Sequence, residues 1–122
     1  MLSLILARHG PVRDGLLAVL EAMPDIDQIV QVEGAKPAWK FVHTHCPDIV
    51  VIYSTVLKVD LLGFIAKLKA ACDCPILTIV GGDADRQTVL AHGADVAVIE
   101  GIPSAKLAAH LHAMVQLKSE RN

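Results

Sequence analysis

Tyr53 stands at the end of an apolar run, where the chemistry of a sheet protein is commonly found. The run, Ile49–Ile52, has four consecutive branched apolar residues, and Tyr53 and Ser54 follow it. Such a run predicts a buried strand of a parallel sheet, and open α/β sheets bind ligands at the carboxyl ends of their strands. A phenol has a pKa of about 10, so it is a weak nucleophile at neutral pH. No carboxylate, thiol or histidine adjoins Tyr53 in the sequence. Tyr53 is therefore either the functional residue of a site or the sign of a site that has lost its function.

Two segments rich in histidine and cysteine are candidates for metal binding. The first contains His43, His45 and Cys46, and the second contains Cys72 and Cys74. Neither segment has the Cys-x₂-Cys spacing of a zinc site. A joint site is conceivable if both segments lie at the amino-terminal edge of the sheet, but we expect solvated histidines at a helix end and half-buried cysteines. We therefore predict no metal site.

The segment GGDAD, residues 81–85, is a candidate anion-binding loop because backbone N–H groups at a helix start bind anions. No Walker lysine follows it, and the GxGxxG pattern is absent. We expect a turn in which Asp83 or Asp85 caps the next helix. No set of Ser, His and Asp is apparent elsewhere, so we predict that the chain is not an enzyme.

Composition narrows the class of protein. The 122 residues are 53% hydrophobic but only 3% aromatic, which indicates one domain with an aliphatic core. The net charge of −2 argues against nucleic-acid binding by this segment. No apolar run approaches the ~18 residues of a membrane span, and the amino terminus lacks the features of a signal peptide. An odd count of three cysteines predicts a reducing compartment, so we expect a cytoplasmic protein.

Apolar runs and helical periodicity alternate along the chain. The predicted strands are residues 2–7, 28–34, 49–54, 76–80 and 96–100, and the predicted helices are residues 12–23, 36–46, 59–72, 86–92 and 103–118. This alternation predicts an α/β fold, a three-layer α/β/α sandwich around a five-stranded parallel sheet. The most polar strand belongs at an edge, as in the order 2-1-3-4-5. We expect the domain to span 1–119, with 120–122 as a tail or the start of a linker.

Three segments resemble the receiver domains of response regulators. Residues 4–26, LILARHGPVRDGLLAVLEAMPDI, resemble the opening of receivers that precede helix-turn-helix (LuxR/NarL-type) output domains. Residues 47–53 and 74–100, PDIVVIY and CPILTIVGGDADRQTVLAHGADVAVIE, resemble the family's third-strand motif and its fourth and fifth strands. The resemblance covers essentially the whole chain. It implies the flavodoxin-like (CheY-like) fold and a role in two-component signal transduction.

The resemblance fails at the residues that carry receiver chemistry. Receivers accept a phosphoryl group on an aspartate at the end of the third strand. Acids at the end of the first strand and that aspartate hold a Mg²⁺, and a Thr or Ser at the end of the fourth strand and a lysine at the end of the fifth contact the phosphoryl group. Here the acids fall on Ala7 and Arg8, the acceptor on Tyr53 and the lysine on Glu100, and only Thr78 keeps the family's residue type. Neither a methyl group nor a guanidinium binds Mg²⁺, and Glu100 would repel a phosphoryl group. The resemblance thus implies a degenerate pseudo-receiver without Mg²⁺ or another cofactor.

Compared with the family, the charges after the first and fifth strands have changed places. Arg8 stands where an acid is expected, and Glu100 stands where a base is expected. We hypothesise that Arg8, Tyr53 and Glu100 form an internal polar cluster in the space of the metal and the phosphate. The alternative is that Arg8 and Glu100 are separately solvated surface side chains.

The altered pocket predicts a regulatory domain that does not depend on phosphorylation. We expect it to dimerise or to dock a partner protein through its fourth helix, fifth strand and fifth helix, the surface that receivers use. The resemblance implies the N-terminal part of a transcription regulator, in which this domain itself contacts neither nucleic acid nor membrane. Two alternatives stay open: a sensor of a small anion or nucleotide that uses Arg8, Tyr53, Thr78 and Gly81, and a conventional phosphorelay receiver with a non-standard acceptor.

Overall fold

The computed structural model describes residues 1–54 and 61–121, of which Arg121 is described by its backbone alone. The strands are β1 (Leu2–Leu6), β2 (Gln28–Val32), β3 (Ile49–Tyr53), β4 (Ile76–Val80) and β5 (Val96–Ile99). The helices are α1 (Pro11–Glu21), α2 (Ala35–Thr44), α3 (Leu61–Ala71), α4 (Asp83–Ala91) and α5 (Ser104–Arg121). Strands and helices alternate, as the sequence predicts.

The five strands form one parallel sheet in the order β2-β1-β3-β4-β5, which confirms the predicted topology. In register, Leu4 lies beside Val50, and Val50 lies beside Ile76. β4 is buried along its whole length, whereas β2 is half exposed, because β2 is an edge strand. All carboxyl ends therefore meet at one edge of the sheet.

The helix boundaries differ most from the prediction at the start of α4 and at the end of α5. α4 begins at Asp83 instead of residue 86, and its N-cap is the extended Gly82, so neither Asp83 nor Asp85 caps the helix. Both acids lie in the first turn, where the helix dipole favours negative charge. α5 continues to Arg121, so the expected domain boundary at 119 falls inside a helix. The predicted start of α3, at 59, lies outside the described residues.

The core has two apolar layers, one on each face of the sheet. On one face, α2, α3 and α4 contribute buried residues such as Val42, Ile65 and Val89. On the other face, α1 and α5 contribute buried residues such as Leu20 and Leu111. The result is the predicted three-layer sandwich. None of the helices in the described ranges is both long and apolar enough to cross a lipid bilayer.

The aspartates immediately before β3 and β5 connect these strands to their neighbours by the same pair of hydrogen bonds. The backbone N–H of Asp48 donates to the carbonyl of Leu2, and Asp48 Oδ2 accepts the Leu2 N–H at 2.7 Å. The backbone N–H of Asp95 likewise donates to the carbonyl of Ile76, and Asp95 Oδ2 accepts the Ile76 N–H at 2.8 Å. Each aspartate thus satisfies both backbone groups of the residue that starts the adjacent strand, which fixes the register.

Asp27, immediately before β2, forms a related contact at the edge of the sheet. Its backbone N–H donates to the carbonyl of Met1, and its Oδ1 accepts a hydrogen bond from the amino group of Met1 at 2.7 Å. This hydrogen bond holds the pKa of Asp27 below its ordinary value. Three of the five strands are therefore positioned by an aspartate at their amino-terminal end.

Candidate functional site

The side chains of Tyr53 and Glu100 meet at the carboxyl edge of the sheet. Tyr53 ends β3 and is half-buried, whereas Glu100 directly follows β5, two strands away. The Tyr53 hydroxyl donates a hydrogen bond to Glu100 Oε1, and the backbone N–H of Glu100 donates to the carbonyl of Val80 at 2.8 Å. The Tyr53–Glu100 contact spans the end of β4 and closes this edge with a phenol and a carboxylate.

Arg8 is not part of this contact, so the predicted three-residue cluster is wrong in one member. Ala7 is fully buried, and its N–H donates to the carbonyl of Val32 at 3.1 Å. Arg8 follows with an exposed side chain, because successive residues in extended chain point to opposite faces. Within the described residues, Arg8 forms no hydrogen bond or ion pair. The guanidinium of Arg8 is therefore solvated, as the alternative of a separately solvated surface side chain predicts.

Thr78 does not lie at the edge of the sheet. β4 ends at Val80, so Thr78 is two residues short of the strand end, opposite Ile52 in β3 and Ala97 in β5. The side chain of Thr78 is fully buried, and its hydroxyl has no hydrogen-bond partner among the residues that the structure describes. The placement of Thr78 in the pocket, inferred from motif resemblance, is therefore corrected: the pocket position at the end of β4 is Val80.

Thr78→Val should raise the free energy of unfolding by about 1 kcal/mol, because it replaces an unpaired buried hydroxyl with a methyl group of the same shape. Denaturant unfolding of both proteins measures the difference. Thr88→Val is the matched control, since Thr88 is exposed and its hydroxyl donates to the carbonyl of Ala84 at 2.9 Å. We expect no gain from the control. A loss of stability in Thr78→Val would contradict the assignment of an unpaired hydroxyl.

A second polar contact near this edge was not predicted from the sequence. Glu33, just after β2, accepts a hydrogen bond from the backbone N–H of His9 at 2.9 Å and lies 3.4 Å from Arg13 Nη1. Arg13 Nη2 also contacts His9 Nδ1, which must be the acceptor because a guanidinium only donates. Glu33 thereby holds the loop after β1. A lone glutamate after an edge strand carries no pattern that would reveal this role.

The candidate metal ligands at the opposite edge of the sheet are engaged elsewhere. His43 Nδ1 hydrogen-bonds to the carbonyl of Trp39 at 2.7 Å, and the ring of His45 stacks on Phe41 with centroids 5.3 Å apart. Cys46 is bonded to Cys72 in a disulfide. Across residues 1–54 and 61–121, no three His, Cys, Asp or Glu side chains converge as a metal would require.

The disulfide corrects the expectation of reduced cysteines. The ends of α2 and α3 approach each other closely enough to pair Cys46 with Cys72, and Cys74 alone remains a free thiol. The odd cysteine count therefore reflects one pair and one buried thiol. Cysteine usage no longer supports a reducing compartment.

Comparison with solved structures identifies the fold. No protein-family model and no curated protein sequence matches the chain. The response regulatory domain of mrkE from Klebsiella pneumoniae superimposes with a TM-score of 0.87 at 9% identity, over 98% of this chain and 99% of that one. A two-component response regulator from Clostridium difficile gives 0.82 at 19% identity, over 95% and 96%. This chain has the receiver fold. A LuxR-family response regulator from Aurantimonas sp. SI85-9A1 also gives 0.82 at 19% identity, over 94% and 84%.

The likeness to these receivers establishes architecture and strand order, and the chemistry must be argued from this chain's residues. The receiver fold brings the carboxyl ends of β1, β3 and β5 to one edge. In this chain that edge carries Ala7, Arg8, Tyr53 and Glu100. The edge therefore lacks a pair of carboxylates at the end of β1, and the hydroxyl at the end of β3 is already hydrogen-bonded.

Proposed function

We propose that this receiver-fold domain is a signalling interaction module that works without phosphorylation. The observation that carries this conclusion is the hydrogen bond between Tyr53 and Glu100 at the edge where receivers phosphorylate an aspartate. The Tyr53 hydroxyl is a weak nucleophile, and the Glu100 carboxylate would repel an incoming phosphoryl group. The exposed guanidinium of Arg8 repels a divalent cation, and Ala7 offers it no oxygen. The residues named here therefore do not fit Mg²⁺.

Treatment with acetyl phosphate and Mg²⁺ should leave the intact mass of the protein unchanged. A receiver with an aspartate acceptor, treated in the same mixture, is the positive control. We also expect no shift in the melting temperature with millimolar Mg²⁺, because Ala7, Arg8 and Tyr53 supply no carboxylate to hold the ion. An added phosphoryl group that mild alkali removes would contradict phosphorylation independence and support the conventional phosphorelay receiver.

Association through α4, β5 and α5 is the proposed output of the module. In the described part of the chain, Leu90 on α4 and Ile99 on β5 are the large hydrophobic side chains that are exposed, at 42% and 36%. β5 is an edge strand, whose outer backbone groups are available for pairing. A cavity of about 390 Å³ adjoins Ile99 and is also lined by Arg86, Glu100, Lys106 and His110, among others. Apolar and charged side chains side by side on this surface favour a protein partner or a second copy.

Sedimentation velocity tests this surface. We expect the protein to form a concentration-dependent dimer, and the double variant Leu90→Asp/Ile99→Asp to remain a monomer, because two buried carboxylates would be unpaired in the interface. Ala22→Asp, at the exposed end of α1, is the matched control and should dimerise normally. A monomeric wild-type protein would exclude the homodimer, and dimerisation of the double variant would exclude this surface.

Sensing of a small anion or nucleotide is the less favoured function. Arg8 is exposed and could contact an anion, but Thr78 is buried in mid-strand and cannot line the pocket. The carboxylate of Glu100 also opposes an anion. A thermal-shift screen separates the two functions: stabilisation by a nucleotide, lost in Arg8→Ala, would favour sensing.

We also propose that the domain is a non-enzymatic, cytoplasmic part of a transcription regulator. The receiver fold is shared with a response regulator that is named a member of the LuxR family. The net charge of −2 argues against contact with nucleic acid by this domain itself. A DNA-binding domain encoded in the same reading frame would support this assignment, and a domain of another kind in that position would overturn it.

A further inference from the structure

The disulfide joins the ends of two helices at the amino-terminal edge of the sheet, opposite Tyr53 and Glu100. Cys46 follows α2, and Cys72 follows α3. Their Cα atoms are 5.8 Å apart, within the range that a disulfide spans without moving the backbone. The backbone N–H of Cys72 continues the hydrogen bonding of α3 by donating to the carbonyl of Leu68 at 2.8 Å. Cys72 is thus held by the end of α3, whereas Cys46 lies two residues beyond the end of α2.

The two cysteines differ in their exposure to solvent. Cys46 is an exposed residue, whereas Cys72 is only 4% exposed. A small thiol would therefore attack the bond at Cys46. We propose that Cys46 and Cys72 form a reversible thiol–disulfide site that exchanges with low-molecular-weight thiols of the glutathione class. The site needs neither the pocket at Tyr53 nor the surface at α4, β5 and α5.

The exchange proceeds through a mixed disulfide on Cys46. A glutathione thiolate attacks Cys46 Sγ, the bond to Cys72 Sγ breaks, and Cys72 leaves as a thiolate that takes up a proton. A second glutathione thiolate then attacks the glutathione sulfur of the mixed disulfide, and Cys46 leaves as a thiolate that is also protonated. The protein gains two electrons and two protons, and two glutathione molecules become one oxidised glutathione. Oxidised glutathione drives the reverse steps.

The third cysteine does not compete in this exchange. Cys74 is 1% exposed, and burial raises the pKa of its thiol to about 11. A buried, protonated thiol is a poor nucleophile. Its backbone is also fixed, since the Cys74 N–H donates to the carbonyl of Cys72 at 2.7 Å. The bond therefore opens and closes between one defined pair of residues.

The bond lies beside a groove between α2 and α3. The groove has a volume of about 530 Å³ and is lined by Trp39, His43, Lys67, Ala70 and Ala71. Both of its walls end near the bonded cysteines, so opening the bond removes one link between the walls and leaves the contact between Trp39 and Phe64, whose ring centroids are 5.2 Å apart. We expect faster amide hydrogen exchange in the last turns of α2 and α3 after reduction, with α1 and α5 unchanged.

Alkylation of the native protein with a maleimide, read by intact mass, tests the site. After equilibration with oxidised glutathione we expect no label, and after reduced glutathione we expect one label, mapped to Cys46, because Cys72 and Cys74 are buried. Circular dichroism should be the same in both states. Two free cysteines after oxidation, reduction only under denaturing conditions, or a label on Cys74 would each overturn the assignment.

Single variants separate a reversible pair from independent thiols. In Cys72→Ala, oxidised glutathione should leave one stable glutathione adduct on Cys46, because no second thiol resolves it. In Cys46→Ser, the buried Cys72 should stay unmodified. Cys74→Ser should behave as the wild type. Adducts on Cys72, or loss of exchange in Cys74→Ser, would contradict the proposed roles.

Discussion

Reduction of the Cys46–Cys72 bond should lower the free energy of unfolding by about 3–4 kcal/mol. The bond closes a loop with a sequence separation of 26, which contains all of β3 and α3. In the chain-entropy account, closing a loop of this size restricts the unfolded chain by an amount equivalent to that free energy. The measurement is urea unfolding of the oxidised protein and of the same protein in excess reductant.

The double variant Cys46→Ser/Cys72→Ala provides the control for that measurement. It should unfold near the midpoint of the reduced wild type and should not respond to reductant. Cys74→Ser should keep the full difference between its oxidised and reduced forms, although its own stability can differ. Equal midpoints for oxidised and reduced wild type would mean that the bond does not constrain the unfolded chain.

The fold is predictable from the sequence because its local signals agree with one another. The run Ile76–Val80 favours a buried strand, since every residue in it is apolar or small, and the structure buries all of it. Gly93, which directly follows the predicted helix 86–92, has a φ of +119°, which a residue with a Cβ rarely adopts. Element ends were less predictable: Gly-Gly-Asp resembles a turn, yet the acids of residues 83 and 85 begin the helix.

The candidate site is only partly predictable because it depends on the last residue of each strand. Tyr53 ends β3 and Glu100 directly follows β5 at the same edge, so their proximity follows from topology. The placement of Thr78 in the pocket was wrong because Thr78 was matched to the family's motif by residue type, although the predicted strand ends two residues later, at Val80. The pairing of Cys46 with Cys72 depends on how closely α2 and α3 approach, which no local pattern encodes.

Asp95→Ala should be strongly destabilising, with a loss of about 3 kcal/mol. Asp95 Oδ2 lies 2.7 Å from Lys69 Nζ and also accepts the N–H of Ile76 at 2.8 Å, and both charged side chains are less than a quarter exposed. Removing the carboxylate leaves Lys69 with the carbonyl of Cys74, 3.1 Å away, and leaves the first N–H of β4 without this acceptor. The lost ion pair and the lost acceptor for the Ile76 N–H therefore both contribute to the loss of stability.

Asp95→Asn separates the two contributions. Its amide oxygen can still accept the Ile76 N–H, so only the charge opposite Lys69 is lost, and we expect a loss of about 1 kcal/mol. Asp83→Ala is the control at an exposed carboxylate, 3.4 Å from Arg86, where we expect at most about 0.5 kcal/mol. Equal losses in Asp95→Ala and Asp95→Asn would assign the whole effect to the ion pair and none to the strand.

The position of Asp95 gives this prediction a functional readout as well. β5 has four residues and pairs with β4 alone, so its amino-terminal end depends on the hydrogen bonds between Asp95 and Ile76. The other end of β5 carries Ile99 and precedes Glu100. Asp95→Ala should therefore speed amide exchange along β5 and weaken association through Ile99, whereas Asp95→Asn should leave both near the wild type. Normal association by an Asp95→Ala protein with a mobile β5 would mean that the strand does not present the docking surface.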